Sequence, residues 1–412
     1  DASSMRGPRG LVLDEARGKL YSLNKLSSSL SVIDTNTLAV SSELALSSYD
    51  PMPAAIRAGR GYLFDARLSG NGTNSCGICH LDADNDGLAW DLGDPGGEML
   101  TVLGANLSVH DTTPRPRSLH PMKGPMVTQT LRGLQNGDPF HWRGDKPTLQ
   151  SFNSTFDHLM GGSQVDAEDM DNLAEYLKSL VHHSNPNRNL DRSLPTSFNG
   201  GNPITGRDLF NNHAKSHCNV CHLLPEGTDH NIDLPQESGL SQPVKTPPLR
   251  TTYQRMLFDS RAGAASISGF GMLHDGTGGR SMLPTVHPYV LSNLDTLQEL
   301  ANVTAFIQCF DTGTARTVGY GRTVTAVNRA NSEVIADIAL LENRAATTAG
   351  DCDLVVRGVI GGTQRVLRWT GTVYQNDSTA GGSMTRTALL AALSGSDAIT
   401  FTGRSEERRV GK

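Results

Sequence analysis

With 412 residues the chain is long enough for two or three domains, each with its own core. A net charge of −6 leaves no basic footprint for nucleic acid or an acidic membrane surface. No run of about 18 apolar residues is present, so no spanning helix is encoded, and the opening DASSMRGPRG has no apolar leader. A signal peptide is therefore expected to have been removed or never included. Glycine (43) and proline (20) are plentiful and aromatics make up only 5%, which points to a loop-rich protein organised around something other than a large aromatic core.

Residues 10–48 alternate in the manner of strands. LVLD, KLYSLN, LSVIDT and AVSSELAL are separated by the turn runs EARG, KLSS and TNTL. Four strands meandering over about 40 residues have the size of one propeller blade. YSLN and SLSVIDT resemble the signature strands of the YVTN-type β-propeller repeat. A lone blade cannot bury both faces, so the stretch is expected either to belong to a longer protein or to pack on the region of the two cysteine motifs.

Next comes NSCGICH, and the same signature returns as HCNVCH at 217–222. A redox C-x-x-C needs no third-place histidine and favours a βαβ setting, absent at both places. Two zinc knuckles usually stand about 15–20 residues apart, whereas these are divided by more than a quarter of the chain. C-x-x-C-H is the attachment signature of c-type haem. Each thiol adds to one haem vinyl group, and a short turn of helix places the next histidine under the iron. Cys76 and Cys79 are thus expected to tether one haem with His80 as proximal ligand, and Cys218, Cys221 and His222 a second. Such attachment is made outside the cytoplasmic membrane, so a periplasmic or extracellular location is expected. The remaining Cys309 and Cys352 are expected to pair in an oxidising compartment, buried free thiols being the alternative. After the first motif, DADNDG places Asp82, Asp84 and Asp86 at the 1-3-5 spacing of a calcium loop, but position 12 is Gly93 rather than glutamate. A calcium ion and a solvated turn are the two readings of that stretch.

From about 55 to 312 the sequence repeats itself loosely. CGICH, TQTLRG and FHWRGD precede one helix, and CNVCH, TPPLRT and MLHDGT precede another. In VDAEDMDNLAEYLKSLV, Leu173, Tyr176, Leu177 and Leu180 form an apolar stripe, and in DTLQELANVTAFIQCF the stripe is Leu297, Leu300, Ala301, Thr304 and Phe306–Ile307. Between them SNPNRNLDRSLP reads as a polar, proline-marked linker. Beyond 313, VTAV, CDLVVRGVIGG and VLRWTGTVYQND predict strands and 333–346 and 385–394 predict helices. The expected fold is mixed and mainly α: a blade over 1–55, expected to be a fragment, cytochrome c domains over 56–185 and 186–312, a small α+β accessory domain over 313–403, and a 404–412 tail, RSEERRVGK, expected to be non-native.

Residues 60–312 resemble the di-haem cytochrome c peroxidase and MauG-like family. The resemblance rests on both C-x-x-C-H motifs, on KTPPLR and MLHDG, and on FHWRGDKPTLQ where the family has a tryptophan motif. The subset it looks most like carries the di-haem module after a YVTN propeller. Such a family closes each cytochrome domain with a helix packed across the N-terminal haem helix, and often holds calcium between its haems. Its peroxidases carry a glutamine and a glutamate beyond the tryptophan motif, on the distal side of the peroxidatic haem. Here Phe152 and His158–Leu159–Met160 occupy that region. Without a distal acid–base group to move a proton as the O–O bond breaks, electron transfer is the expected function. The resemblance itself implies the alternative, a hydrogen-peroxide-reducing enzyme, and a third reading is a propeller-based binding protein with accessory haems. His158, His141 and Trp142 are the candidates for any catalytic role, and Trp142 also for coupling the haems. Candidate sixth ligands are His120, Met122 and Met126 for the first haem, and Met272, Met282, His287 and Tyr289 for the second. The implied partners are a redox protein or small electron donor, together with the rest of a propeller if the parent chain is longer.

Overall fold

Strand-length apolar alternation and short helical stripes build two compact units, each discontinuous in sequence. The computed structural model describes residues 6–46, 52–104, 115–233, 242–255, 262–263, 271–277, 294–346, 350–376 and 382–405. One unit comprises Asp1–Val181, His230–Lys245 and His274–Gly276; the other comprises His182–Asp229, Thr246–Leu273 and Thr277–Lys412. The family-like region is thus divided between the units rather than cut once.

The first unit begins with β1 (Pro8–Asp14), β2 (Lys19–Asn24), β3 (Ser29–Asp34) and β4 (Ala39–Ala45), an antiparallel four-stranded meander in sequence order. The four strands lie where the alternation placed them. Their buried positions are polar: Asn24 Nδ2 donates to Ser29 Oγ (2.9 Å) and Ser31 Oγ (2.8 Å). Leu11, Val12 and Leu13 are instead 54–66% exposed, so one apolar stretch has no cover in this unit. The meander does touch the first cysteine region. Lys25 and Arg9 both pair with Asp82, and Arg60 donates to the Leu26 carbonyl (2.9 Å).

Helix α1 (Ala54–Phe64) leads to the single turn α2 (Cys76–Cys79). Then come two short pairings, β5 (Ala89–Trp90) with β8 (Met126–Val127) and β6 (Leu100–Gly104) with β7 (Arg115–Leu119), and the helices α3 (Asn153–His158) and α4 (Ala167–Lys178). The two-stranded β9 (Ile232–Asp233) and β10 (Val244–Lys245) complete the unit. α1 and α4 cross at a glycine. A Cβ on Gly59 would lie 1.8 Å from the Asn172 carbonyl oxygen, a separation no side chain survives. Around that crossing Leu63, Phe156, Met170, Leu173, Tyr176 and Leu177 form the core. Leu180, expected on the α4 stripe, lies just past its end and still packs against this core.

The second unit repeats the device. α5 (Pro203–Phe210) precedes the turn α6 (Cys218–Cys221) and crosses α7 (Leu297–Gln308), where a Cβ on Gly206 would lie 1.8 Å from the Asn302 carbonyl oxygen. Phe210, Val303, Phe306 and Phe310 pack there, with Phe210 and Phe306 rings edge to face at 5.2 Å. The predicted stripe on α7 needs correcting at Leu297, which is 84% exposed on the turn begun by the Thr296 cap. From Asn302 to Gln308 every residue is buried, so a single-face pattern could not describe this helix.

The predicted linker 184–195 is packed instead. Asn185 is buried, and its Nδ2 donates to the Gln308 and Phe310 carbonyls at 2.9 Å each. Arg188 NH1 donates to the Cys309 carbonyl (2.8 Å). These donors satisfy the carbonyls that the end of α7 leaves open, which is why so polar a stretch is ordered.

The rest of the unit is a six-stranded antiparallel sheet: β11 (Gly321–Thr325), β12 (Asp353–Ile360), β13 (Thr363–Trp369), β14 (Tyr374–Asn376), β15 (Ser383–Met384) and β16 (Ala398–Arg404), in the order β11-β16-β12-β13-β14-β15. Against it pack α8 (Ser332–Ala346), through Val334, Ile338 and Leu341, and α9 (Arg386–Ala391), through Leu389. This α+β region has its own core.

Candidate cofactor sites

Each C-x-x-C-H motif forms one helical turn with its histidine at the end. His80 N–H donates to the Cys76 carbonyl (3.0 Å) and His222 N–H to the Cys218 carbonyl (2.9 Å). The two histidines share a backbone conformation, φ −92°, ψ 67° and φ −94°, ψ 66°. A spacing of three puts both thiols of a motif on one side of the turn, and the next residue leaves it in a new direction. The first turn sits so close to α1 that a Cβ on Gly77 would lie 2.6 Å from the Phe64 ring.

The surroundings suit a neutral imidazole in both units. Burial pushes both His80 and His222 below the ordinary histidine value. Nδ1 of His222 donates to the Gly227 carbonyl (2.7 Å), which fixes the tautomer and leaves Nε2 with its lone pair. Nδ1 of His80 is buried without a well-formed hydrogen bond, although the Gln129 and Asp84 backbone lies near enough to the ring to offset part of the effect of burial. Burial also raises the thiols, Cys76 to about 11, with Cys79 and Cys218 raised in the same direction.

An x-Leu-Arg segment closes each turn from behind. After His80, residues Asp82 and Ala83 both take positive φ (52° and 63°), and their carbonyls accept from Arg132 NH2 (3.1 Å) and Leu131 N–H (3.0 Å). After His222, Gly227 turns at φ 74° with Leu249 against it, and Arg250 pairs with Glu226 (3.5 Å). TQTLRG and TPPLRT are visible in the sequence as a repeat, but their spacing does not announce this role.

The donor set fits covalently attached haem. Two thiols on one turn and a desolvated neutral imidazole beside them are what such a group requires. Cys76, Cys79 and His80 would hold one group, and Cys218, Cys221 and His222 the other.

The remaining candidates separate. His120 and Met122 are exposed, and the His120 ring is engaged at Nδ1 by the Met122 N–H (3.0 Å). Met126 is half-buried in β8, and Met272 is half-buried against the core of α5 and α7. Met282, His287 and Tyr289 lie outside the described residues. Asp82, Asp84 and Asp86 turn to different partners: Asp82 to Arg9 and Lys25, Asp84 to Arg132, Asp86 to the Trp90 indole (2.8 Å). Among the described residues, no three His, Cys, Asp or Glu side chains are grouped to hold a metal ion, and the three carboxylates of DADNDG are each engaged by a different partner. Cys309 and Cys352 are both buried free thiols, so the expected disulfide is not formed. Burial pushes Cys309 to about 12, and its Sγ lies 3.5 Å from the Asn187 carbonyl, where a small hydrophobe fills the α7 core.

His158 ends α3 with its side chain 73% exposed beside Asp157. Trp142 is buried, its indole donating to the Val127 carbonyl (2.8 Å) and its ring 6.5 Å from that of His274. His141 has company the sequence did not reveal. Its Nδ1 lies 3.1 Å from Asp145 Oδ1, and its ring meets Phe152 edge to face at 4.7 Å. Gly144 at φ 63° makes the turn that brings Asp145 back, and a H-x-x-G-D spacing was the available signal.

No family model and no curated protein matches this sequence. Among solved structures, the chain is similar to hydrazine synthase of Kuenenia stuttgartiensis at 18% identity and TM-score 0.44, covering 63% of this chain and 89% of that one. It is also similar to the di-haem peroxidase BthA of Burkholderia thailandensis, at 14% identity and TM-score 0.35 over 64% and 89%. A MauG-like protein associated with microbial copper homeostasis stands at 17% and 0.34 over 64% and 90%. All three likenesses are distant.

Proposed function

We propose that the chain is a di-haem c-type cytochrome that carries electrons outside the cytoplasm. The observation that carries this reading is the pair of C-x-x-C-H turns with matched backbone and desolvated histidines. When bound, each haem supplies a one-electron iron centre. The chain's own residues anchor it by two thioethers, present a neutral imidazole and, at His222, fix the ring's tautomer through the Gly227 carbonyl. Export is part of the proposal, because thioether attachment is made beyond the cytoplasmic membrane. Among the described residues no helix is long and apolar enough to cross a membrane.

Electron transfer is favoured over peroxide reduction by the residues beyond FHWRGD. Phe152 is packed into the core and His158 points to solvent, so neither offers a proton to a bound peroxide. The test is haem content together with turnover. Two haems per chain retained through acid–acetone extraction, with slow peroxide reduction in oxidised, mixed-valence and reduced protein, is the expected result. One haem or none overturns the di-haem reading, and kcat/KM of about 10⁶ M⁻¹s⁻¹ or more overturns the electron-transfer reading.

A further inference from the structure

FHWRGD contains a histidine that the haem-attachment reading leaves unused. His141 has φ 67°, a conformation that costs a non-glycine residue energy and persists only where its surroundings impose it. Those surroundings are specific. Asp145 Oδ1 and Oδ2 stand 3.1 and 3.3 Å from Nδ1, so the carboxylate accepts that proton and Nε2 keeps its lone pair. Phe152 holds the ring plane from the side at an interplanar angle of 85°. Burial alone would raise Asp145, yet the bond from His141 and the charges of Lys123 and Arg143 hold it below the usual carboxylate range. The carboxylate therefore remains an acceptor. Carboxylate, oriented imidazole and open Nε2 form the arrangement that positions histidine on metals.

Location supplies the metal. Cys76 and Ala83, which flank His80, pack in the same core as Phe140 and Phe152, which flank and face His141. The His141 side chain is 33% exposed, and burial pushes its basicity below the ordinary histidine value against the opposing pull of Asp145. Of the three first-haem ligands suggested by the sequence, His120 and Met122 are exposed and Met126 is half-buried, and none is an imidazole held by a carboxylate.

We propose that His141, oriented by Asp145, is the sixth iron ligand of the haem held by Cys76, Cys79 and His80. The proposal rests on the di-haem reading, and a bis-histidine centre suits a carrier, because a filled sixth position closes the iron to substrate.

Optical and EPR spectra of the ferric holoprotein and of three variants test it. The wild-type spectrum should show the first haem low-spin. H141A should convert one of the two irons to high spin, and added imidazole should return it to low spin. H141M should keep that iron low-spin but replace its bis-nitrogen signature with a sulfur–nitrogen one, which carries the test if H141A does not fold. D145N should keep the spin state and raise the midpoint potential of that haem alone, since a neutral partner makes His141 a weaker donor. A first haem that is high-spin in the wild type, or H141A and H141M spectra indistinguishable from it, overturns the assignment. Haem stoichiometry in the same samples keeps the two failures apart: two covalent haems with an unmoved spectrum sink the ligand and leave the di-haem reading standing.

Discussion

The two helix crossings are built alike and finished differently. In the first unit α1 meets α4 at Gly59, and in the second α5 meets α7 at Gly206, each glycine pressed on the carbonyl of an asparagine. Asn172-Leu173 with Tyr176-Leu177 in one is matched by Asn302-Val303 with Phe306-Ile307 in the other. In both, the first helix of the crossing precedes and the second follows a C-x-x-C-H turn of the same backbone. The difference lies in the histidine's support: His222 donates to the Gly227 carbonyl, whereas Nδ1 of His80 makes no well-formed bond. Attachment geometry is thus a property of the local turn. Tuning of the imidazole depends on what the rest of each unit places beside it.

The largest expected effect tests the likeness. Gly59→Val and Gly206→Val each put carbon where a backbone oxygen stands, and backbone cannot step aside as a flexible side chain would. Each should cost about 3 kcal/mol or more in urea unfolding, with loss of the haem spectrum from its own half alone. A neutral outcome in one half would break the correspondence.

A smaller effect tests a difference. In V-T-Q-T-L-R and K-T-P-P-L-R, Val127 and Lys245 hold the same place, and both are buried. Lys245 donates to the Gly137 and Pro139 carbonyls at 2.8 and 2.6 Å, and burial pushes its ammonium down to about 8. The unfolded chain keeps that proton to about pH 10.4, so between these values it binds more protons than the folded protein and stability rises with pH. Wild type should therefore gain on K245M by about 2 kcal/mol from pH 8 to 10, measured as the difference in unfolding free energy. A flat difference would mean that Lys245 titrates as an exposed lysine.

The smallest effect concerns how the two crossings begin. Asn202 caps α5, accepting from Ile204 N–H (2.9 Å) and Thr205 N–H (3.2 Å), while α1 starts at Pro53 with no side-chain cap. N202A should lose about 1 kcal/mol, and P53A should stay within about 0.5 kcal/mol of wild type. Equal losses in chemical denaturation would remove the asymmetry.

Much of this protein was legible because it is local. The four strands of the meander come from alternation broken by EARG, KLSS and TNTL, and the two attachment turns from cysteine–histidine spacing. α4 was legible for the same reason, since only one of its faces is buried. α7 was misread at Leu297 because a helix buried on nearly every side has no stripe to read. The polar 184–195 stretch was misread as a linker because its asparagine and arginines serve carbonyls more than a hundred residues away. A-G-R-G-Y-L-F and T-G-R-D-L-F were a visible signal for the crossings, since glycine inside a helix is tolerated where another backbone comes close.

By itself, then, the sequence determined the elements whose causes lie within a few residues: strands, attachment turns, and the chemistry of thiol and imidazole at fixed spacing. Only the tertiary structure decided which charges neutralise DADNDG, that Cys309 and Cys352 stay apart as buried thiols, and that Asp145 turns His141 into an oriented donor. The physical reason is the same in each case. A side chain's charge state and free lone pair depend on burial and on partners brought in from distant segments, and spacing along the chain carries no record of either.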